Sequence, residues 1–114
     1  MNVYKLEIIV REEKVPEVLD VLERFGYWGV TMYPVEGRGR QKGLVEQFRG
    51  RKYEIPFLPK TKIEVLVRDE DCEEMMNHVV EVARTDTVGD GKIFVYPVID
   101  VVRIRTGEKG ECAL

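Results

Sequence analysis

The stretch that decides the fold is residues 4–26, which read YKLEIIVREEKVPEVLDVLERFG. Its first half alternates apolar and polar side chains, with Leu6, Ile8 and Val10 on one side, and this is the period of a strand with one buried face. In its second half apolar residues recur at helical spacing, and Gly26 follows where such a helix would end. The stretch therefore predicts a strand followed by a helix.

The same pattern returns downstream. Residues 62–67 alternate again, and Asp69–Asp71 supply an N-cap and first-turn acids for a second helix. The residues expected to form the buried stripe of that helix are Met75, Met76, Val79, Val80 and Ala83. Further strands are predicted at 30–35 and 93–98, with a short one at 101–105. The order predicts an α+β, ferredoxin-like βαββαβ sandwich, in which two helices lie on one face of an antiparallel sheet.

The second face of the predicted sheet has no remaining segment to cover it. The apolar residues expected there are Ile9, Tyr33, Val35 and Leu66, together with either Phe94 and Tyr96 or Val95. An uncovered patch of this kind marks an interface. We therefore expect a homo-oligomer with ligand sites where subunits meet.

Length and composition limit the function classes. With 114 residues, the chain is predicted to form one domain over residues 1–114. It has no apolar run near the roughly 20 residues of a membrane span and no signal-peptide pattern, so we expect a cytoplasmic protein. The spacing of Cys72 and Cys112 and the single His78 argue against a zinc site and a histidine-based triad.

Positive charge is concentrated in one region, although the net charge is −3. Eight bases and two acids fall between Arg38 and Lys62. Residues 37–59 have no sustained periodicity and are predicted to form a long loop, and loops of more than about 15 residues in compact domains are usually functional. We interpret this loop as a recognition element for an anionic ligand or partner surface, with a merely solvated loop as the alternative.

A glycine-bracketed motif, Gly89-Asp90-Gly91-Lys92, precedes the predicted strand at 93–98. Such a motif can wrap backbone N–H groups around an anion while the lysine supplies a counter-charge. Downstream, Arg103 and Arg105 would project to the same side of an extended segment and clamp one polyanion. Together these residues predict a phosphate site. A second glycine-rich element lies at residues 37–43.

Three stretches resemble the PII signal-transduction family of nitrogen sensors. They are GRGRQKG at 37–43, FLPKTKIEVLV at 57–67 and ARTDTVGDGKIFVYPVIDVVRIRTGE at 83–108. The resemblance covers essentially the entire chain and implies a homotrimer that binds ATP or ADP in the clefts between subunits. The long loop, approximately 37–59, corresponds to the family's T-loop. The implied function is a non-enzymatic switch, in which ATP, Mg²⁺ and 2-oxoglutarate stabilise one T-loop conformation and ADP another.

The resemblance also implies individual site residues. Those for the nucleotide are Ile9, Thr31, Gly37, Arg38, Arg40, Gln41, Glu64, Gly89, Asp90, Gly91, Lys92, Arg103 and Arg105. Those for 2-oxoglutarate are Gln41, Lys42, Gly43, Lys60 and Gly89. Gln41 is further implied as a ligand of Mg²⁺ beside the ATP phosphates, which agrees with the preference of Mg²⁺ for hard oxygen ligands.

The partners implied are ammonium transporters of the inner membrane and enzymes or regulators of nitrogen assimilation, contacted through the T-loop. Membrane association would come only through a transporter, whose pore Arg49 would enter, and no nucleic acid is implied. Tyr53 keeps the phenol of the family's uridylylation site, but Arg51 and Lys52 beside it are cationic and differ from that site. Two other departures are Arg11-Glu12 for Lys-Pro and Asp86-Thr87 for Gly-Lys.

Two other function classes share parts of this pattern. An RNA-binding module of the same topology needs exposed aromatic residues on its inner strands, and residues 61–67 contain none. A nucleotide-hydrolysing enzyme needs a positioned base and Mg²⁺ ligands, and no motif in the chain supplies them. We therefore expect no enzymatic activity beyond slow, incidental ATP hydrolysis.

Overall fold

A computed structural model describes residues 1–37, 45–48, 51–54 and 58–114. Its helices and strands, in chain order, are β1 Val3–Arg11, α1 Val15–Arg24, β2 Val30–Gly37, β3 Val45–Phe48, β4 Arg51–Glu54, β5 Leu58–Arg68, α2 Asp69–Ala83 and β6 Lys92–Pro97. Short 3-10 helices occupy Glu12–Lys14 and Gly110–Ala113. Within the described residues, neither α-helix is long and apolar enough to cross a bilayer.

Four strands form the main sheet, in the order β2-β5-β1-β6. Every neighbouring pair is antiparallel, and the two central strands place Leu6 opposite Val65 and Ile8 opposite Ile63. The helices α1 and α2 pack on the face that carries these residues. This arrangement confirms the predicted ferredoxin-like fold.

The core lies between the helices and that face of the sheet. Helix α1 begins near Pro16, buries Val18, Val21 and Leu22, and is followed by Gly26 at a φ of +89°. A positive φ suits glycine after a helix, so the predicted helix end is confirmed. Full burial of each such side chain stabilises the fold by about 1.5–3 kcal/mol.

Helix α2 differs from its prediction at the N-cap and in its buried stripe. The N-cap is Arg68, whereas Asp69 is the first helical residue and its backbone N–H donates to the carbonyl of Asn2 at 3.0 Å. The prediction that Asp69 begins the acidic N-cap segment was therefore wrong, although the first-turn acids still oppose the positive end of the helix dipole. The stripe starts at Cys72, and Val80 is 39% exposed because it lies outside that stripe.

The long connection between β2 and β5 contains regular structure. Strands β3 and β4 pair antiparallel, with Glu46 opposite Tyr53 and Gln47 opposite Lys52. The prediction of an irregular loop throughout residues 37–59 was therefore wrong for these two strands. Only two residues separate β3 from β4, which is the commonest connection of a β-hairpin.

The prediction of a strand at 101–105 was also wrong. Instead of an extended strand, the chain makes one isolated bridge, between Val102 and Lys109. The N–H of Gly107 donates to the carbonyl of Arg103 at 2.7 Å, and the N–H of Arg103 donates to the carbonyl of Glu108 at 2.9 Å. The Thr106-Gly107 pair thus turns the segment back on itself, and Gly107 has a φ of +74°.

The sheet face away from the helices carries Phe94 opposite Glu7 and Tyr96 opposite Lys5, whereas Val95 lies opposite Leu6 on the helix side. The choice between these two sets therefore falls on Phe94 and Tyr96. This face, which we call the open face, is approached at one end by the C-terminus. Leu66, Ala113 and Leu114 line a shared cavity of about 450 Å³ there, whereas Tyr33, Phe94 and Tyr96 are 38%, 42% and 44% exposed, so no described segment covers the rest of this face.

Candidate functional site

The segment between α2 and β6, residues 84–91, passes close to the end of β1. Gly89 and Gly91 have φ values of +101° and +102°. A methyl group on Gly91 would overlap the carbonyl oxygen of Ile9, so this position accepts only glycine without a shift of the backbone. The glycines predicted to shape an anion-binding loop therefore do shape one tight loop, which we call the glycine loop (residues 84–91).

Asp90 is the centre of the hydrogen bonding within the glycine loop. Its carboxylate accepts from the Thr85 N–H at 2.8 Å, from the Thr85 hydroxyl and from Arg11 Nε at 3.2 Å. Burial opposes ionisation of this carboxyl, but the hydrogen bonds from Thr85 and Arg11 outweigh it and hold the pKa of Asp90 well below its usual range. Asp90 is therefore ionised at neutral pH, and its side chain bonds to the loop and to β1.

Sequence reasoning did not identify Arg11 or Thr85 as site residues. Besides Asp90, the Arg11 guanidinium donates from Nη2 to the Thr87 hydroxyl at 3.0 Å and to the Val88 carbonyl at 3.1 Å. The Arg11-Glu12 departure was visible in the sequence, but the partners of Arg11 lie 76 to 79 positions away along the chain. Only the pairing of β1 with β6 brings them together.

A cavity of about 150 Å³ opens beside the glycine loop. The lining residues come from β1, α2, the loop and β6, and they are Ile9, Val10, Val79, Val80, Ala83, Arg84, Asp90, Gly91, Lys92 and Ile93. Sites for cofactors and drug-sized ligands usually measure about 300–1,000 Å³. The cavity that one chain supplies is therefore smaller than such sites usually are.

Lys60 differs from the solvated strand-end lysine that its position near a loop would suggest. It lies on β5 opposite Arg11 and Val35, and only 7% of the residue is exposed. Burial lowers the pKa of Lys60, and the neighbouring Arg11 charge lowers it further while Asp90 partly compensates. Among the described residues, no carboxylate lies within ion-pair distance of its nitrogen. A partly desolvated cation of this kind suits an anionic ligand.

Gly37 adjoins this lysine. A methyl group on Gly37 would lie 3.3 Å from Cδ of Lys60, which is closer than an ordinary contact. The end of β2 therefore packs directly on the Lys60 side chain. The two predicted site residues Gly37 and Lys60 are brought together by the pairing of β2 with β5.

Thr31, Glu64 and Ile9 are located in the sheet. Thr31 lies opposite Glu64, and Glu64 accepts from the Tyr33 hydroxyl at 2.7 Å. That hydrogen bond is the main reason why the pKa of Glu64 is lowered. Ile9 lies opposite Lys92 on one side and Lys62 on the other. Because β2 and β6 are the two edge strands, Thr31 and Lys92 are separated by three strand spacings, roughly 14 Å.

Arg103 and Arg105 lie at the other end of the sheet from the glycine loop. Their segment follows Pro97, which is opposite Tyr4, and Gly110 in the same segment adjoins Met1. Lys92, at the opposite end of β6, is about 17 Å of strand away from Pro97. Within one chain the structure therefore does not bring the arginines to the glycine loop.

Arg103 has partners of its own in this segment. It donates to Glu108 at 3.2 Å and to the Leu114 carbonyl at 3.0 Å. Arg105 lies in the turn and is exposed. The segment is therefore not the extended strand that the predicted same-side clamp assumed, because the chain turns at residues 104–106. The contact of Arg103 and Arg105 with an anion stays a prediction.

Several predicted site residues lie outside the described residues. These are Arg38, Arg40, Gln41, Lys42, Gly43 and Arg49. Tyr53 falls in β4, where its backbone lies opposite Glu46.

An antiparallel sheet with two helices on one face, a tight glycine loop and a hairpin-bearing insertion between β2 and β5 place this chain among the small α+β proteins of ferredoxin-like fold. A family model described as nitrogen regulatory protein P-II matches residues 3–108. The chain belongs to this P-II family, which confirms the resemblance noted from its motifs.

Individual relatives agree over nearly full length. The chain is 52% identical over 106 residues to nitrogen regulatory protein P-II 2 of Methanothermobacter thermautotrophicus, covering 93% of this chain and 92% of that protein. It is 46% identical over 110 residues to nitrogen regulatory protein P-II of Cereibacter sphaeroides, covering 96% and 98%. A crystal structure of Arabidopsis thaliana PII bound to citrate superposes with a TM-score of 0.79 at 40% identity, covering 99% of this chain and 92% of that chain.

Proposed function

We propose that this protein is a non-enzymatic sensor that binds ATP or ADP in clefts between the subunits of a homotrimer. In this proposal ATP is joined by Mg²⁺ and 2-oxoglutarate, and the bound effectors set the conformation of the T-loop, residues 37–59. The T-loop in turn regulates a partner protein. Family membership supports the regulatory role, since the relatives bear the name of regulatory proteins.

One observation carries the proposal: the cationic groups suited to a nucleotide are divided between distant parts of the chain. The glycine loop and Lys92 lie at one end of β6, Arg103 and Arg105 lie beyond the other end, and Thr31 lies on the opposite edge strand. A cyclic trimer repeats one head-to-tail contact, so it can set the loop of one copy against the arginines of the next. A complete site would then exist only between copies.

Lys60 supports the assignment of a carboxylate effector. A buried cation gains most from an anionic partner, because the partner restores the interaction that burial removed. The citrate named for the Arabidopsis relative is a polycarboxylate, which belongs to the same chemical class as 2-oxoglutarate. We therefore assign Lys60 to a 2-oxoglutarate carboxylate, alongside Gln41, Lys42, Gly43 and Gly89.

Mg²⁺ would depend on the nucleotide. Among the described residues no group of three or more His, Cys, Asp or Glu side chains could hold a metal ion. Mg²⁺ commonly keeps few protein ligands and takes phosphate oxygens instead, which fits a site where Gln41 contributes one ligand.

The partners that we propose are ammonium transporters and enzymes or regulators of nitrogen assimilation. A basic hairpin around Arg49 would enter or cover the partner, and the protein would work in the cytoplasm, reaching the inner membrane through a transporter. The RNA-binding alternative is disfavoured because the inner strand at residues 61–67 has no aromatic side chain on which a base could stack.

Titration calorimetry with ATP, with ADP, and with ATP plus Mg²⁺ and 2-oxoglutarate tests the proposal. We expect saturable binding of both nucleotides, and binding of 2-oxoglutarate only when ATP and Mg²⁺ are present. Absence of heat at millimolar ATP would remove the proposed function. Turnover of ATP faster than about one per second, the lower end for kinases, would make the protein an enzyme instead.

A further inference from the structure

Arg11 is the side chain that ties the glycine loop to the sheet. Its guanidinium contacts three acceptors on the loop: the Asp90 carboxylate at 3.2 Å, the Thr87 hydroxyl at 3.0 Å and the Val88 carbonyl at 3.1 Å. A planar guanidinium with five N–H donors can serve three acceptors at once, whereas an ammonium is a single point of charge. The contact is therefore specific to arginine.

The glycine loop has a shape that needs such support. Asp86 has a φ of +60°, a conformation that is uncommon and costly for a residue other than glycine. Hydrogen bonds from Thr85 to Asp90 and between the Thr85 and Thr87 hydroxyls close the loop internally. They do not fix its position against β1, and Arg11 supplies that connection.

We propose that Arg11 is a positioning residue that holds the glycine loop in the conformation in which its backbone N–H groups receive a nucleotide phosphate. This inference rests on the proposed function for its ligand. Backbone donors that are already oriented bind an anion without the cost of ordering the loop. Loss of Arg11 should therefore weaken phosphate binding through the shape of the loop.

Position 11 also adjoins the second predicted anion site. Arg11 is the direct cross-strand neighbour of Lys60, and its guanidinium contacts the Asp90 carboxylate at 3.2 Å, whereas Lys60 has no carboxylate within ion-pair distance among the described residues. Because Asp90 occupies the Arg11 guanidinium, Lys60 is left as the cation that can serve a separate ligand. Arg11 thus holds the glycine loop, which precedes β6, while Lys60 on β5 is left for another ligand.

The test compares Arg11→Ala, Arg11→Lys and Thr87→Val with the parent protein. Arg24→Ala is the matched control, because it removes an arginine whose one ion pair within the described part of the chain is with Asp20, on the surface of α1. For each protein we would measure the dissociation constant for ATP, the thermal midpoint and the hydrogen exchange of amides 84–91 without nucleotide.

We expect Arg11→Ala to weaken ATP binding by about tenfold, the scale of one charge-assisted hydrogen bond, and to speed amide exchange in the loop. Arg11→Lys should show a smaller loss of ATP affinity and a smaller rise in loop exchange than Arg11→Ala, because lysine keeps the charge but lacks the several N–H donors of the guanidinium. Thr87→Val should show a smaller change in the same direction. Arg24→Ala should match the parent, and the thermal midpoints should differ by only a few degrees.

Several results would overturn the inference. Unchanged loop exchange in Arg11→Ala would do so even if ATP binding fell, since it would mean that Arg11 contacts the phosphates directly. Full recovery in Arg11→Lys would show that charge alone matters. If Arg11→Ala does not fold, Thr87→Val and Arg11→Lys decide the question. If the parent itself binds no ATP, the proposed function fails, and loop exchange without nucleotide still tests whether Arg11 positions the loop.

Discussion

Phe94 and Val95 are neighbours on β6, are exposed to almost the same extent, 42% and 43%, and lie on opposite faces of the sheet. Phe94 belongs to the open face with Tyr96, and Val95 lies on the helix side. Equal exposure of two apolar residues on opposite faces gives a matched pair for asking whether the open face joins copies of the chain, as the proposed trimer requires.

We predict that Phe94→Arg lowers the molecular mass from that of an oligomer to that of a single chain. A charge buried in an apolar contact without a partner costs far more than the contact can return. The measurement is sedimentation at micromolar concentration. Val95→Arg adds the same charge on the other face and should leave the mass unchanged. A parent protein that sediments as a monomer would contradict the prediction, and so would an unaltered mass in Phe94→Arg.

We predict that Gly91→Ala lowers the free energy of unfolding by about 3 kcal/mol, because positive φ and overlap with the Ile9 carbonyl each add a penalty. Urea unfolding measures this. Gly26→Ala is the control, since Gly26 also has a positive φ but no atom near its added methyl. Its cost should be only about 1–2 kcal/mol. Equal costs at the two positions would mean that β1 moves freely away from the loop.

We predict that Asp90→Asn destabilises the protein by about 2 kcal/mol at pH 7, the scale of hydrogen bonds to a charged group. The pKa of Asp90 is lowered in the folded state, so its contribution is fully present above the unfolded pKa of about 3.9. The contribution is lost as the pH falls from there through the folded pKa. In urea unfolding at pH 7, 5 and 3, the difference in free energy of unfolding between the parent and Asp90→Asn should therefore become smaller only at pH 3.

The surface residue Asp20 provides the control for this pH series. It is ion-paired with Arg24 at 3.4 Å and is well exposed. Exposed pairs contribute about 0–1 kcal/mol, so Asp20→Asn should change little at any pH. If the Asp90→Asn difference were as large at pH 3 as at pH 7, the lost interaction would not depend on the charge of Asp90.

The fold could be predicted from the sequence because the spacing of apolar residues in its strands and in its helices is a local pattern. Alternation in residues 4–10 and 62–67 and helical spacing in α1 and α2 are each set by whether a side chain faces the core. The predicted stripe of α2 is confirmed at Met75, Val79 and Ala83, and it omitted Cys72, although cysteine is among the most buried residues. The β-branched run at 101–105 predicted a strand, but the turn that ends at Thr106-Gly107 folds the segment back on itself.

The site was less accessible from the sequence than the fold. The tight loop at Gly89 and Gly91 could be predicted because a positive φ leaves a glycine signature, while the binding role of these residues and of Lys92 stays a prediction. The contacts of Arg11 could not be found, because a side-chain hydrogen bond across 79 positions depends on strand pairing and leaves no local pattern. Lys60 carried no sign of its burial, since burial depends on Gly37 packing over it from β2.

The division of the proposed site between subunits makes a prediction that a single-chain site could not satisfy. Lys92→Ala and Arg103→Ala should each weaken ATP binding, by about 1.5–3 kcal/mol for the arginine. When equal amounts of the two variants are unfolded together and refolded, each mixed trimer should regain full affinity at one of its three sites, which is about a quarter of all sites in the random mixture. Those sites pair the intact Lys92 of one copy with the intact Arg103 of its neighbour.

Calorimetry of the refolded mixture should then resolve a tight class of sites that neither variant has alone. Because Arg103 also bonds to Glu108 and the Leu114 carbonyl, Glu108→Gln serves as the control that disturbs the same ion pair and keeps the guanidinium. It should bind ATP almost as the parent does. If mass measurement confirms mixed trimers but calorimetry shows only weak sites, Lys92 and Arg103 do not share one cleft. A shared cleft would bring an intact Lys92 and an intact Arg103 together at one site in every mixed trimer.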